Sequence, residues 1–256
     1  MLTFMEFLLK MLAQSHRDIA LRMQHDCLCF YSSIASSQQN EHYFDECALG
    51  HSLAGSFYLE SGEIEKAVKA NFLAVQYCAD AQNIYPNSIR IRKRYLFANH
   101  ALGRCLFCIC KYEEALEPLI IYHNGIKEIL ENDPTQLTMV SSYLNALDII
   151  GRCYLYMHQY DDALTYFDTM LTTIRLHLKD APESIYFSWV TMLFNCKYYI
   201  ARCYIESGLV ELGYQWANGL YEELLRNGIS HDSDYEPMEN VKELIDTQRL
   251  NVIIQE

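Results

Sequence analysis

The stretch Ala101-Leu-Gly-Arg-Cys105 returns as Ile149-Ile-Gly-Arg-Cys153 and again as Tyr199-Ile-Ala-Arg-Cys203, with the small residues Gly103, Gly151 and Ala201 in register. Gly55, in Leu53-Ala-Gly-Ser-Phe57, precedes Gly103 by 48 residues, and Pro86, Pro134 and Pro182 stand 48 apart as well. A fixed period of this size marks a repeat architecture. Each of the first two prolines sits beside helix-start chemistry, Asn87 and Ser88 after Pro86 and Asp133 before Pro134. Proline fixes φ, and its missing N–H costs nothing in a first helical turn. The pattern predicts a helix that restarts once per period.

Three residues on from each small residue stands Tyr58, Leu106, Tyr154 or Tyr204. A break follows, then a second amphipathic run containing Ala67, Ala115, Ala163 or Gly213. Each period therefore reads as a helical hairpin. With 10 Gly and 5 Pro there are few places for tight turns, and apolar and polar residues do not alternate at strand spacing for long, so helices dominate.

The order small residue, aromatic, loop, alanine in Gly151-Arg-Cys-Tyr154, His158-Gln-Tyr160 and Ala163, with Phe167 following, resembles the tetratricopeptide repeat (TPR) family over about residues 40–228. The resemblance implies an all-α solenoid, a right-handed superhelix of antiparallel helix hairpins, whose first helices line a concave surface that binds a peptide or a partner helix. The period is longer than the family's usual unit of about 34 residues, which points to a long-repeat variety. Asn71 stands where the family favours an aromatic, and Gly213 where it favours alanine.

On this reading residues 1–256 form a single TPR-like domain: a degenerate N-terminal hairpin over 1–38, four repeats over 39–228 and a C-terminal capping helix over 236–254. Helix pairs are expected at about 40–61 and 64–84, 88–109 and 112–131, 134–157 and 160–179, and 182–206 and 209–227. Pro118 falls inside one of these helices and should kink it. Val241, Leu244, Ile245, Val252 and Ile253 are the apolar residues with which the last helix would cover the end of the stack.

A formal charge of -13 opposes binding to a nucleic-acid backbone. The opening Met1–Ala13 is short and carries Glu6 and Lys10, and eighteen apolar residues in a row occur nowhere, so neither a signal peptide nor a membrane span is expected. The 10 cysteines sit among apolar residues at mid-helix positions instead of in a loop-rich framework, which suits reduced thiols and a cytoplasmic location. Cys105-Leu-Phe-Cys108-Ile-Cys110 has thiols that could serve zinc or an iron–sulfur cluster. A structural metal site wants loops that converge four ligands, however, and Cys153 and Cys203 repeat Cys105 in register, so the thiols read as small buried hydrophobes. No metal or cofactor is expected. HExxH, nucleophile-elbow and glycine-rich phosphate motifs do not occur, and the chain reads as a scaffold and not an enzyme. A Cys and His pair assembled from distant residues is the remaining enzymatic option.

One pattern carries a binding reading. At about 100° per residue, positions −13, −10, −6, −3 and +1 from the small residue fall within about 80° on the first helix of each hairpin. They read His42, Asp45, Leu49, Ser52, Ser56; then Arg90, Lys93, Phe97, His100, Arg104; then Thr138, Ser141, Asn145, Asp148, Arg152; then Ser188, Thr191, Asn195, Tyr198, Arg202. A polar stripe is ordinarily a solvated face, and Asp148 with Arg152 and Arg202 with Glu206 are i,i+4 pairs that neutralise each other locally. Arg90, Lys93 and Arg104 have no acidic partner within a turn of their own helix, and Arg90, Arg92, Lys93 and Arg94 crowd a helix start where positive charge opposes the dipole. The candidate groove is therefore Arg90, Lys93, Phe97, His100, Arg104, Asn145, Arg152, Asn195, Tyr198 and Arg202. Asn pairs with peptide backbone and Arg grips carboxylate or phosphate, so the expected partner is a protein or peptide presenting an acidic or C-terminal segment. The alternative is a regulatory module that senses a small anionic ligand or signalling peptide in a closed pocket near Arg104.

Overall fold

The computed structural model describes residues 40–229 and 236–255, with side chains as far as Asp246. The expected hairpin over 1–38, Cys27, Cys29 and the side chains of Val252 and Ile253 lie outside the described residues. The helices are α1 (Glu41–Glu60), α2 (Ile64–Ile84), α3 (Ile89–Cys108), α4 (Tyr112–Asn132), α5 (Leu137–Tyr156), α6 (Tyr160–His177), α7 (Glu183–Glu206), α8 (Val210–Arg226) and α9 (Glu236–Gln255), with a 3₁₀ turn at Leu178–Asp180. No strand occurs among the described residues.

Local chemistry fixes where the helices begin. Asn40 Oδ1 accepts the Tyr43 N–H at 3.0 Å and Ser88 Oγ accepts the Ile91 N–H at 3.1 Å, each cap worth about 1 kcal/mol. Asp133 spends its carboxylate earlier than expected. Its Oδ1 accepts the Thr135 N–H at 3.1 Å and the Thr135 hydroxyl at 2.6 Å, which turns the chain and delays α5 to Leu137. Helix α4 runs unbroken through Pro118.

The chain forms two compact units, one up to Gly125 and one from Ile126, with the boundary inside α4. In the first unit α1 packs on α2 and α3, and α2 on α3. Tyr43, Phe44 and Cys47 close against Ala81 and Ile91 there. In the second unit α5, α6, α7 and α8 pack in sequence around Leu144, Leu147, Phe167, Met170, Ile174 and Trp189. Trp189 Nε1 donates to Ser141 Oγ at 2.9 Å, joining α7 to α5 across one period. Helix α9 lays Met238, Val241 and Ile245 on Phe194, Ala201, Ala217, Leu220 and Leu224. It caps the apolar end of this unit, with Leu244 at the margin of the contact.

The repeating small residue has a steric cause. A Cβ on Gly55 would lie 2.3 Å from Asn71, one on Gly103 2.5 Å from Leu119, and one on Gly151 2.8 Å from Phe167. Each partner lies sixteen positions further on, in the second helix of the same hairpin, and Ala201 with Ala217 continues the register. Gly213 replaces the buried Ala67, Ala115 and Ala163 because a Cβ there would meet the Ala201 carbonyl oxygen at 2.8 Å.

The hairpin tips repeat too. Gly62, Cys110, His158 and Gly208 adopt positive φ of 75°, 60°, 59° and 93°. Their amides donate three residues back, to Leu59, Phe107, Leu155 and Ile205, and so stop each first helix at the same place.

Candidate peptide-binding surface

In the first unit the stripe lies on α3. Lys93 and Arg104 are exposed, and neither has a carboxylate partner among the described residues. Between them Phe97 is 41% exposed, with its ring 5.8 Å from that of Tyr122. His100 stacks on Tyr122 at 4.4 Å. Burial, reinforced by the Arg104 charge, lowers its pKa to about 4, so the ring is neutral at pH 7, and its buried Nε2 has no hydrogen-bond partner among the described residues.

Arg90 is engaged elsewhere. Its Nε donates to Asp45 Oδ2 at 2.6 Å while Arg94 Nε donates to Asp45 Oδ1 at 2.7 Å, and Asp45 is fully buried on α1. This accounts for Arg90 and Arg94 at the start of α3, since a buried carboxylate group needs opposite charge and hydrogen bonds to offset its lost hydration. It also withdraws Asp45 and Leu49 from any open face, because both are buried. Next to them Glu46 is buried, with Oε1 3.8 Å from His42 Nδ1, and burial raises its pKa against the opposing effect of His42.

In the second unit the stripe spans α5 and α7, and here the local pairs form. Arg152 Nη1 donates to Asp148 Oδ2 at 3.3 Å, and its guanidinium lies 5.2 Å from the Tyr199 ring. Burial pushes the Asp148 carboxyl up, with Arg152 opposing. Arg202 donates from Nε and Nη2 to Glu206 Oε1 at 2.8 and 2.6 Å, and lies over Tyr156 and Tyr198. Asn145 is exposed, whereas Asn195 holds a buried Oδ1 without a hydrogen-bond partner among the described residues. An orphaned buried polar atom costs about 1–3 kcal/mol, which a bound donor would recover.

The thiols divide. Cys47, Cys78, Cys105, Cys153, Cys196 and Cys203 are buried, and burial pushes Cys47 up to about 11 and Cys78, Cys153 and Cys203 up to about 12. Thiolates are disfavoured at these positions. Cys108 and Cys110 depart from the expected burial and are exposed, because α3 ends at Cys108 and the tip turns at Cys110. Among the described residues no group of three or more His, Cys, Asp or Glu is arranged to hold a metal ion, and no helix is long and apolar enough to cross a membrane.

No protein-family model matches the sequence, and no curated relative does. Solved structures do match. A crystal structure described as nearly identical TPR-like repeats of a kinesin light chain from Podosopora anserina aligns with a TM-score of 0.61 at 13% identity, covering 88% of this chain and 95% of that one. A single-residue variant of it aligns at 0.60 with the same identity and coverage. The fold is thus all-α and TPR-like, of the helical-repeat solenoid class.

Proposed function

We propose that the chain is a non-catalytic adaptor that binds an acidic or C-terminal peptide segment along the first-helix faces of its hairpins. The observation that carries this reading is the pair Lys93 and Arg104, without a carboxylate partner among the described residues and exposed on either side of the exposed Phe97 in a protein of net charge -13. Cations without partners on one helix face favour an anionic ligand, and an exposed ring between them supplies apolar contact. In the second unit Asn145, Asn195 and Tyr198 supply hydrogen bonds, with Arg152 and Arg202 already held by carboxylates. Helical-repeat scaffolds of this fold class suit protein partners, and the free buried thiols suit a reducing compartment.

Binding to an array of acidic and free-C-terminal peptides tests it. Arg104→Glu should weaken the best peptide by about ten- to a hundredfold, the value of about 1.5–3 kcal/mol of charged hydrogen bonding, and added salt should weaken the wild type. Glu113→Arg, an exposed charge outside the stripe, should leave binding near normal. Equal effects of the two substitutions would show that the stripe is only a wet face.

A further inference from the structure

The second unit has an open surface hollow of about 300 Å³ between α6, α7 and α8, walled by Arg175, Lys197, Leu212, Trp216, Gly219 and Glu223 among others. None of the stripe residues lines it. Its charge is simple. Lys197 is ion-paired with Glu223, while Arg175 is exposed and has no carboxylate partner among the described residues. Arg175 lies in the last turn of α6, where a cation is favoured by the helix dipole, so by itself it would mean little.

Gly219 is the second observation. It sits in the interior of α8, a position where glycine is disfavoured. Gly55, Gly103, Gly125, Gly151 and Gly213 are each explained by a neighbour that a Cβ would strike within 3 Å. Gly219 is exposed in the wall of the hollow, and around a Cβ there nothing lies within 4 Å. Neither packing nor backbone conformation requires glycine there, and a larger side chain at this exposed position would occupy part of the hollow that Gly219 lines.

We propose that this cavity is a binding site for a carboxylate carried on a flat apolar group. Arg175 presents the planar donor fork that fits a carboxylate, and Trp216 and Leu212 supply the apolar wall for the body of the ligand. One uncompensated cation beside Glu223 matches a monoanion, whereas a phosphate dianion would face Glu223 with charge to spare. The source is either the last residue of a peptide or a free small acid, since both present this chemistry. The inference uses no residue of the peptide-binding reading above and stands or falls apart from it.

The test uses the full chain and the fluorescence of Trp216, the other of its 2 tryptophans being the buried Trp189. The probes are 3-phenylpropanoate and its uncharged amide. The acid should shift the emission saturably with a dissociation constant on the order of 1 mM, and the amide should bind at least about tenfold more weakly. Arg175→Gln should weaken the acid by a similar factor. Gly219→Leu should abolish its binding without lowering the thermal transition, and Arg104→Glu should leave binding of the acid unchanged. An acetylated tripeptide ending in phenylalanine, with and without its free carboxylate, separates the sources: binding at least as tight as the free acid marks a peptide terminus, weaker binding a small acid. Equal binding of acid and amide, wild-type binding by Gly219→Leu or Arg175→Gln, or no saturable response up to about 10 mM would overturn the assignment.

Discussion

The Cβ that Gly151 lacks would sit 2.8 Å from the ring of Phe167, which is fully buried. A methyl group there cannot be absorbed by rotating a flexible chain end, because the obstacle is a packed aromatic ring stacked on Tyr199 at 5.4 Å. Gly151→Ala should therefore destabilise by about 1–3 kcal/mol despite alanine's better helix propensity. Gly219→Ala, which meets nothing within 4 Å, should do the opposite and stabilise by about 0.5–1 kcal/mol. Urea unfolding of the two variants against the wild type checks both signs, and a shared sign would refute the steric account of the period.

Asn71 occupies the place that Leu119 and Phe167 hold in the next two hairpins, facing Gly55 as they face Gly103 and Gly151. It is 2% exposed, its Nδ2 donates to the Ala67 carbonyl at 3.0 Å, its side chain meets the Cys105 thiol, and its Oδ1 has no hydrogen-bond partner of ordinary geometry among the described residues. Replacing a half-satisfied buried amide by an apolar side chain already accepted at the equivalent contact should raise stability. Asn71→Leu is expected to gain about 1 kcal/mol, read as a higher urea midpoint at unchanged slope. A loss would mean that the first hairpin is closed more tightly than the second.

Cys110 holds φ at 60° in a place where two other hairpins use Gly62 and Gly208. A left-handed conformation costs a non-glycine residue about 1–2 kcal/mol, partly offset by the greater chain entropy that glycine loses on folding. The side chain is exposed, so little packing is given up. Cys110→Gly should gain about 0.5–1 kcal/mol, and Gly62→Ala should lose a comparable amount. Chemical denaturation of the pair checks the symmetry.

The hairpins were legible because the feature that sets them is tied to residue type. Where the two helices of a hairpin cross, the side chains of Asn71, Leu119 and Phe167 leave no room for a Cβ on Gly55, Gly103 and Gly151, and the small Ala201 keeps the register in the next hairpin. The tip was hidden because positive φ is a backbone state filled in turn by Gly, Cys, His and Gly, which share no side-chain chemistry. The stripe was legible as a pattern and only partly as a surface. Asp45 meets Arg90 and Arg94 across successive first helices, 45 and 49 residues away in sequence, and no local spacing announces such a contact. The pairs Asp148 with Arg152 and Arg202 with Glu206, being one helical turn apart, were readable in advance. Gly219 gave no signal, since its meaning lies in the empty space around it.

His100 offers the pH test. Burial, with the Arg104 charge adding to it, holds the folded pKa at about 4 against an ordinary value of 6.5. Between those two values the unfolded chain binds a proton at this site and the folded chain does not, so folding loses stability as pH falls through the window and is unaffected above about pH 7. The contribution has a ceiling of about 3 kcal/mol, reached only as the pH approaches 4. His100→Phe keeps a ring against Tyr122, where the imidazole now stacks at 4.4 Å, and removes the proton. Other groups titrate in the same range, so the informative quantity is the difference between wild type and variant, in which they cancel. Urea unfolding at about pH 7 and about pH 4.5 should show that difference shifting against the wild type at the lower pH, by about 1–3 kcal/mol. If the two proteins lose stability in parallel, His100 is not held neutral by its surroundings, and Arg104 does not act on it as the geometry requires.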